Sequence, residues 1–136
     1  MTSSANILIP TAAAAIFLVV GIAASLNVQR FRQPGLWWVP ALLSAAFFVG
    51  SLRAVATGGS FGFWAEHTRN DWNNQIFLDL LLSASCAYFL LLARARAASM
   101  QILPWFGLIA VTGSIGLLAM VARVLFLERK AAFKPV

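Results

Sequence analysis

The sequence contains few charged residues for its length. Of its 136 residues, 10% are Asp, Glu, Lys or Arg, whereas 61% are hydrophobic. Soluble domains average about 25% charged and about 45–50% apolar residues. The composition therefore argues against a water-soluble globular fold. It also argues against a large aqueous active-site domain, because no stretch of the chain is both long and polar.

Residues that commonly carry redox or metal chemistry are nearly missing. The single cysteine, Cys86, rules out an intramolecular disulfide and a cysteine-based metal site. The single histidine, His67, lies between hydrophobic runs, so no transmembrane helix offers a histidine as an axial haem ligand. Glu66 and Asp71 lie near His67, but their spacing matches no zinc motif. We therefore interpret His67 as a surface residue and predict no metal and no cofactor.

Catalytic motifs are also missing from the sequence. There is no Ser with a plausible His/Asp relay in register, no Gly-rich phosphate loop and no pair of acidic motifs of the kind that Mg²⁺-dependent prenyl-diphosphate chemistry needs. These absences favour a protein that is not an enzyme.

The charges that are present are mostly basic, with a net charge of +6. The Lys and Arg residues are spread singly and in pairs beside the hydrophobic runs. They do not form a patch that could neutralise a nucleic-acid backbone. Basic side chains beside apolar runs sit at the lipid headgroups. We therefore expect the lipid bilayer to be their partner and expect no binding of nucleic acid.

Four long hydrophobic runs make up most of the chain. About 20 apolar helical residues are enough to cross a hydrocarbon core of about 30 Å. No Lys or Arg precedes the first run, so we interpret it as a retained helix rather than a signal peptide. The sequence predicts one all-α integral membrane domain, residues 1–136, with four transmembrane helices in an up-down bundle. The predicted helices cover residues 6–26, 36–57, 75–93 and 102–127.

The distribution of basic residues predicts an orientation. The turns at residues 27–35 and 94–101 carry four arginines and no acid, but the opposite side carries nearly as many Lys and Arg residues. The first helix breaks this tie, because nothing basic precedes it and two arginines follow it. We therefore predict a multi-pass protein of the bacterial cytoplasmic (inner) membrane, with both termini and the loop at residues 58–74 outside.

Three charged residues lie within the predicted helices, namely Arg53, Asp79 and Arg123. An ionisable group inside a membrane is costly unless it is paired or hydrated. If four helices alternate in direction, these residues lie at nearly one depth, on the side of the long loop. We favour a structural ion pair between Asp79 and Arg123. There are two alternatives. One is a proton or ion relay, and the other is that Asp79 simply reaches the membrane interface or caps the start of its helix.

Asp79 shares one helix face with three other polar residues. Gln75, Asp79, Ser83 and Cys86 follow the i, i+4, i+8, i+11 spacing of a single helix face, and we call these four residues the polar stripe. Small residues on a facing helix allow close approach. The last predicted helix carries such a face, made of Thr112, Gly116, Ala119 and Arg123.

Several short motifs lie between residues 70 and 129. Asn70 precedes the intramembrane Asp79 by nine residues, a leucine-rich helix and a basic turn follow, and Gly113-Ser114 lies in the last helix. This stretch resembles a family of small bacterial integral membrane proteins of unknown function, although that family often has a proline in the last helix where this sequence has Leu117-Leu118. The resemblance implies a membrane location and a role for Asn70 and Asp79, but no activity.

These features lead to one favoured function and two alternatives. We predict a non-enzymatic membrane protein that acts through helix association, as an accessory or stabilising subunit of a larger membrane complex or as a homo-oligomer. The first alternative is a small oligomeric transporter or channel in which Asp79 couples to protons or ions. The second is a lipid- or isoprenoid-modifying enzyme that uses Asp79 with the loop residues Glu66 and His67.

Overall fold

The computed structural model of the chain describes residues 4–26 and 34–133, which belong to two compact units. The first unit contains one described helix, α1 (Ser4–Leu26). Residues 12–24 of this helix are all apolar, which is typical of a helix surrounded by lipid. Its Ser25 hydroxyl donates to the carbonyl oxygen of Gly21 at 2.8 Å, so this polar group is satisfied within the helix.

The described part of the second unit consists of helices joined by short turns. Within the described ranges, three segments are long and apolar enough to cross a membrane: Leu8–Leu26, Gly35–Gly58 and Asp71–Ala97. An all-α architecture with three long apolar helices is thereby confirmed. The elements of the second unit are a 3₁₀ turn (Pro34–Trp37), α2 (Trp38–Gly58), α3 (Gly62–His67), α4 (Asp71–Ala97), α5 (Ile102–Thr112) and α6 (Ser114–Ala132).

Helix α4 is longer at both ends than the predicted helix at residues 75–93. Asn70 caps its start, because the Asn70 side chain accepts a hydrogen bond from the backbone N–H of Asn73 at 2.9 Å. Asp71 then lies in the first turn, where a negative charge is favoured by the helix dipole. Arg94 and Arg96 lie in the last turn, where a positive charge is favoured. The capping signal at residues 70–71 explains the earlier start.

The prediction of one continuous helix over residues 102–127 is wrong. The chain breaks at Gly113, whose φ of +60° lies in the region that favours glycine. The helices on either side of this break pack very closely. A Cβ atom added at Gly116 would lie 2.9 Å from the backbone of Ile109, so α5 and α6 fold back on each other as a hairpin. A fourth transmembrane span is not confirmed.

An ion pair shows where this hairpin ends. Arg94, near the end of α4, donates two hydrogen bonds to the carboxylate of Glu128 in α6, at 2.9 and 2.7 Å. The carboxyl-terminal ends of α4 and α6 therefore lie at the same end of the unit. We call this the basic end, because Arg96, Arg129 and Lys130 lie there as well.

Helix α6 is the centre of the second unit and packs against α2, α4 and α5. The Ser44 hydroxyl in α2 donates to the carbonyl oxygen of Ile115 at 2.9 Å, and the ring centroids of Trp37 and Phe126 lie 5.3 Å apart. Helix α2 thus begins at the basic end and runs antiparallel to α6. The buried core of the unit consists of Leu91, Ala95, Ile109, Met120 and Val124.

Candidate functional site

The three charged residues predicted to converge do not contact one another. Arg53, Asp79 and Arg123 are all exposed. Within residues 34–133 the ion pairs are those of Arg69 with Glu66 and of Arg94 with Glu128, so the expected pair of Asp79 and Arg123 is not formed.

The hairpin explains why Asp79 and Arg123 are separated. Arg123 lies five residues before Glu128, whereas Asp79 lies 15 residues before Arg94. At 1.5 Å per helical residue, these positions are about 8 Å and about 22 Å from the ion pair at the basic end. The common depth assumed four alternating helices, and the reversal at Gly113 removes that alternation. Whether each residue has a function stays a prediction.

The polar stripe lies on one face of α4, as its spacing predicts, and all four of its side chains are exposed. None of the four has a hydrogen bond or an ion pair to another described residue. The neighbouring Ser85 behaves differently, since its hydroxyl donates to the carbonyl oxygen of Leu81 at 2.7 Å. The stripe is therefore a set of polar groups that the second unit leaves without partners.

The length of the hairpin accounts for the exposure of Gln75 and Asp79, the two stripe residues farthest from the basic end. Ser114 begins α6 and lies 14 residues before Glu128, so the hairpin reaches about 21 Å from the ion pair. Helix α4 has 27 residues and is about 40 Å long. The hairpin thus covers about half of α4, and Asp79 lies at the limit of its reach.

Asp79 lies at a depth where lipid would surround it. It is five residues from Ala84, the midpoint of α4, or about 8 Å along the helix. A hydrocarbon core of about 30 Å extends about 15 Å to each side of a centred helix. With α4 centred in the bilayer, the carboxylate is inside the hydrocarbon region, where an Asp costs about 2.5–3.5 kcal/mol on insertion scales.

The loop residues singled out from the sequence contribute to local structure. Glu66 pairs with Arg69 at 3.2 Å, and its carbonyl oxygen accepts a hydrogen bond from the Asn73 side chain at 2.7 Å. Nδ1 of His67 donates to the carbonyl oxygen of Phe63 at 2.8 Å, and His67 is half-buried rather than fully exposed. Together with the Asn70 cap, these contacts hold α3 against the start of α4. No group of three or more His, Cys, Asp or Glu residues in the described ranges could hold a metal ion.

The hairpin also creates a groove that the sequence did not predict. The groove has a volume of about 420 Å³ and lies among the 3₁₀ turn, α2, α5 and α6. None of its lining residues is acidic, and Arg123 is its only charged residue among the part of the chain that the structure describes. Sequence reasoning missed the groove because its walls meet only once the chain reverses at Gly113. Its principal lining residues are Trp37, Ala41, Trp105, Ala119, Arg123 and Phe126.

No family model, curated protein or solved structure matches this chain. The resemblance to a family of small bacterial membrane proteins stays a prediction.

Proposed function

We propose that this is a non-enzymatic protein of the bacterial cytoplasmic membrane that acts by associating with a membrane protein through the polar stripe of α4. The observation that carries the proposal is the exposed carboxylate of Asp79, which has no partner among the described residues. A polar group at this depth gains free energy when a protein surface with hydrogen-bond donors or a cation covers it.

The chain itself offers a suitable partner for Asp79 in Arg53. Arg53 lies five residues before the end of α2 at Gly58, and Asp79 lies eight residues after the start of α4 at Asp71. Both residues are therefore about 8–12 Å from the ends of their helices that flank α3. The Arg53 guanidinium is exposed and has no ion pair within residues 34–133. This similar depth supports an ion pair between two copies of the chain.

A two-fold dimer would form this ion pair twice. In such an interface, if residue i of one copy contacts residue j of the other, then j also contacts i. Two reciprocal pairs of Asp79 with Arg53 would neutralise all four charges at once. A homo-oligomer is therefore the favoured form of association, and an accessory role in a complex with a different protein is the alternative form.

Measurement of oligomeric state with paired charge variants tests the proposal. The full-length protein is purified in mild detergent, and its mass is determined by light scattering or native mass spectrometry. We expect a dimer for the unchanged chain, and about a tenfold rise in the dimer dissociation constant for Asp79→Arg or Arg53→Asp alone. The double variant is expected to regain association, because the pair is restored with its charges exchanged. Ser85→Ala, on another face of α4, is the matched control.

Two results would contradict self-association. One is a monodisperse monomer that co-purifies with no other protein, which would overturn association altogether. The other is a stable one-to-one complex with a different membrane protein that Asp79→Arg disrupts, which would establish the accessory-subunit alternative. Circular dichroism of each variant verifies that its helices are retained.

The transporter alternative rests on the same exposed carboxylate. An oligomer that lined a wet pathway with Asp79 would lose proton or ion flux in Asp79→Asn while keeping its oligomeric state. Flux measurements on the protein in liposomes separate this outcome from simple association. The enzyme alternative has less support, because Glu66 and His67 already make contacts within their own loop.

The basic end supports a revised orientation of the second unit. Arg94, Arg96, Arg129 and Lys130 all lie at this end, whereas Arg69 lies in the loop at the other end. Cytoplasmic segments carry the excess of Lys and Arg. We therefore propose that the basic end is cytoplasmic and that the loop at residues 58–74 is outside. The end of α6 then lies inside, on the opposite side from the one predicted for the carboxyl terminus.

Thiol labelling tests this orientation. In a Cys86→Ser background, Ser60→Cys is expected to react in intact cells with a maleimide that does not cross the membrane. Ser99→Cys is expected to react only after the cells are opened. Labelling of Ser99→Cys in intact cells would reverse the proposed orientation.

A further inference from the structure

The groove at the basic end contains a charged residue that the proposed association does not use. We propose that this groove binds one anionic phospholipid, with the lipid phosphate on the guanidinium of Arg123 and part of an acyl chain against the apolar walls. This site is separate from the polar stripe. The groove lies near the basic end, whereas Gln75 and Asp79 of the stripe lie in the other half of α4.

The first argument is the difference between two arginines near the same end. Arg94 donates two hydrogen bonds to Glu128, so its charge is already balanced. Arg123 has no ion pair within the described ranges, and its guanidinium lies 5.9 Å from the ring centroid of Phe126. A guanidinium stays charged under all physiological conditions and binds phosphate with two parallel hydrogen bonds. Among the basic residues at this end without an ion pair in the described ranges, Arg123 is the one that lines the groove.

Arg123 lies where its long side chain can extend towards a lipid headgroup. With α4 centred in the bilayer, the pair of Arg94 and Glu128 lies near the boundary of the hydrocarbon core, and the Cα of Arg123 lies about 8 Å deeper. A long arginine side chain reaches from there towards the headgroups. Trp37 and Trp105 line the same groove, and tryptophan is enriched at this interface.

The walls of the groove indicate an amphiphilic ligand. Trp37, Trp105, Phe126 and several alanines line a volume of about 420 Å³, which falls within the range of about 300–1,000 Å³ that is typical of ligand sites. A free phosphate would leave these apolar surfaces uncovered, whereas an acyl chain would cover them.

The charge of the groove favours an anionic lipid over a zwitterionic one. A zwitterionic headgroup brings an ammonium group as well as a phosphate. No acidic residue lines the groove to receive that ammonium group. Basic pockets between transmembrane helices on the cytoplasmic side are known sites for anionic headgroups.

Native mass spectrometry of the full-length protein tests this proposal. The protein is released from nanodiscs that contain equal amounts of phosphatidylglycerol and phosphatidylcholine. We expect retention of one phosphatidylglycerol molecule per chain, and about a tenfold loss of that retention in Arg123→Gln. Arg96→Gln is the matched control, because it removes a charge at the same end but does not line the groove, and it is expected to retain the lipid.

A second variant separates binding in the groove from general attraction to a basic surface. Ala119→Leu keeps every charge but fills part of the groove, and we expect it to reduce lipid retention as Arg123→Gln does. It also provides an independent test if Arg123→Gln fails to fold, which circular dichroism would reveal.

Several results would overturn the lipid site. Equal retention of phosphatidylglycerol and phosphatidylcholine would show that charge does not select the ligand. Equal losses in Arg96→Gln and Arg123→Gln would show adsorption to a basic surface. Full displacement of the lipid by inorganic phosphate would identify a site for a free anion. Disulfide formation between two Ala119→Cys chains in a Cys86→Ser background would show that a second copy occupies the groove.

Discussion

The two halves of α4 differ in how their side chains are satisfied. The half that ends at the basic end buries Leu91 and Ala95, and its Arg94 pairs with Glu128. The half that begins at Asp71 has no buried side chain, and its Asp79 is exposed without a partner in the described ranges. The difference arises because the hairpin of α5 and α6 reaches only about half the length of α4. The described part of the second unit thus packs against one half of α4 and leaves the side chains of the other half exposed.

The largest expected effect comes from disrupting the hairpin of α5 and α6, which packs against the half of α4 that ends at the basic end. In Gly116→Val, the new side chain would meet the backbone of Ile109, because even a Cβ there would lie 2.9 Å away. We expect a loss of about 3 kcal/mol in the free energy of unfolding, at the upper end of typical overpacking costs. Denaturant titration in detergent measures it. Gly107→Val is the matched control, because a Cβ at Gly107 meets nothing within 4 Å, and an equal loss in both variants would contradict the close packing.

The next effect concerns the polar stripe of α4. Cys86 lies on the polar stripe and is exposed, so mild oxidation should link two copies through a disulfide if stripe faces stripe. Moving the thiol off the stripe, with Cys86→Ser and Ser85→Cys together, should lower the yield about fivefold or more, because disulfides need Cα atoms about 4–7 Å apart. Non-reducing gel electrophoresis of membranes measures the yield. Equal disulfide yields for the thiol at positions 86 and 85 would indicate random collision of chains rather than a specific interface.

A smaller effect comes from removing the ion pair at the basic end. In Glu128→Gln, Arg94 loses its carboxylate partner, and we expect a loss of about 1 kcal/mol because the pair is only partly exposed. Glu66→Gln breaks the pair with Arg69, whose side chains are 65% and 68% exposed, and we expect a loss of less than about 0.5 kcal/mol. Thermal unfolding in detergent compares the two. A larger loss of stability in Glu66→Gln than in Glu128→Gln would show that the pair of Glu66 with Arg69 is the stronger of the two ion pairs.

The smallest effect is a local one at the start of α4. Asn70→Ala removes the side chain that accepts a hydrogen bond from Asn73, and caps of this kind contribute about 1 kcal/mol to local helix stability. Because the first turn can fray without disturbing the hairpin, we expect faster hydrogen exchange in the first turn of α4 and little change in global unfolding. Asn70→Asp, which preserves the acceptor, is expected to behave like the unchanged protein. Equal exchange in all three proteins would show that the cap does not hold this end.

The long apolar helices could be predicted from local sequence, whereas their boundaries could be predicted less well. Hydrophobicity and length are properties of each segment alone, so the three long apolar helices followed directly from the runs of apolar residues. The start of α4 was placed four residues late, although the cap at Asn70 is visible in the sequence. The polar stripe followed from helical spacing, because Gln75, Asp79, Ser83 and Cys86 belong to one uninterrupted helix.

An all-helical chain with long apolar helices follows from the sequence alone, because the hydrophobic character of each run is encoded within that run. The hairpin at residues 102–132, in contrast, depends on contacts between residues that are distant along the chain. Glycine is tolerated inside an apolar helix as well as at a break, so Gly113 alone does not distinguish a continuous helix from a hairpin. The close approach of Gly116 to Ile109 and the ion pair of Arg94 with Glu128 identify the hairpin. The same reversal separated Arg123 from Asp79, formed the groove at the basic end and left half of α4 uncovered.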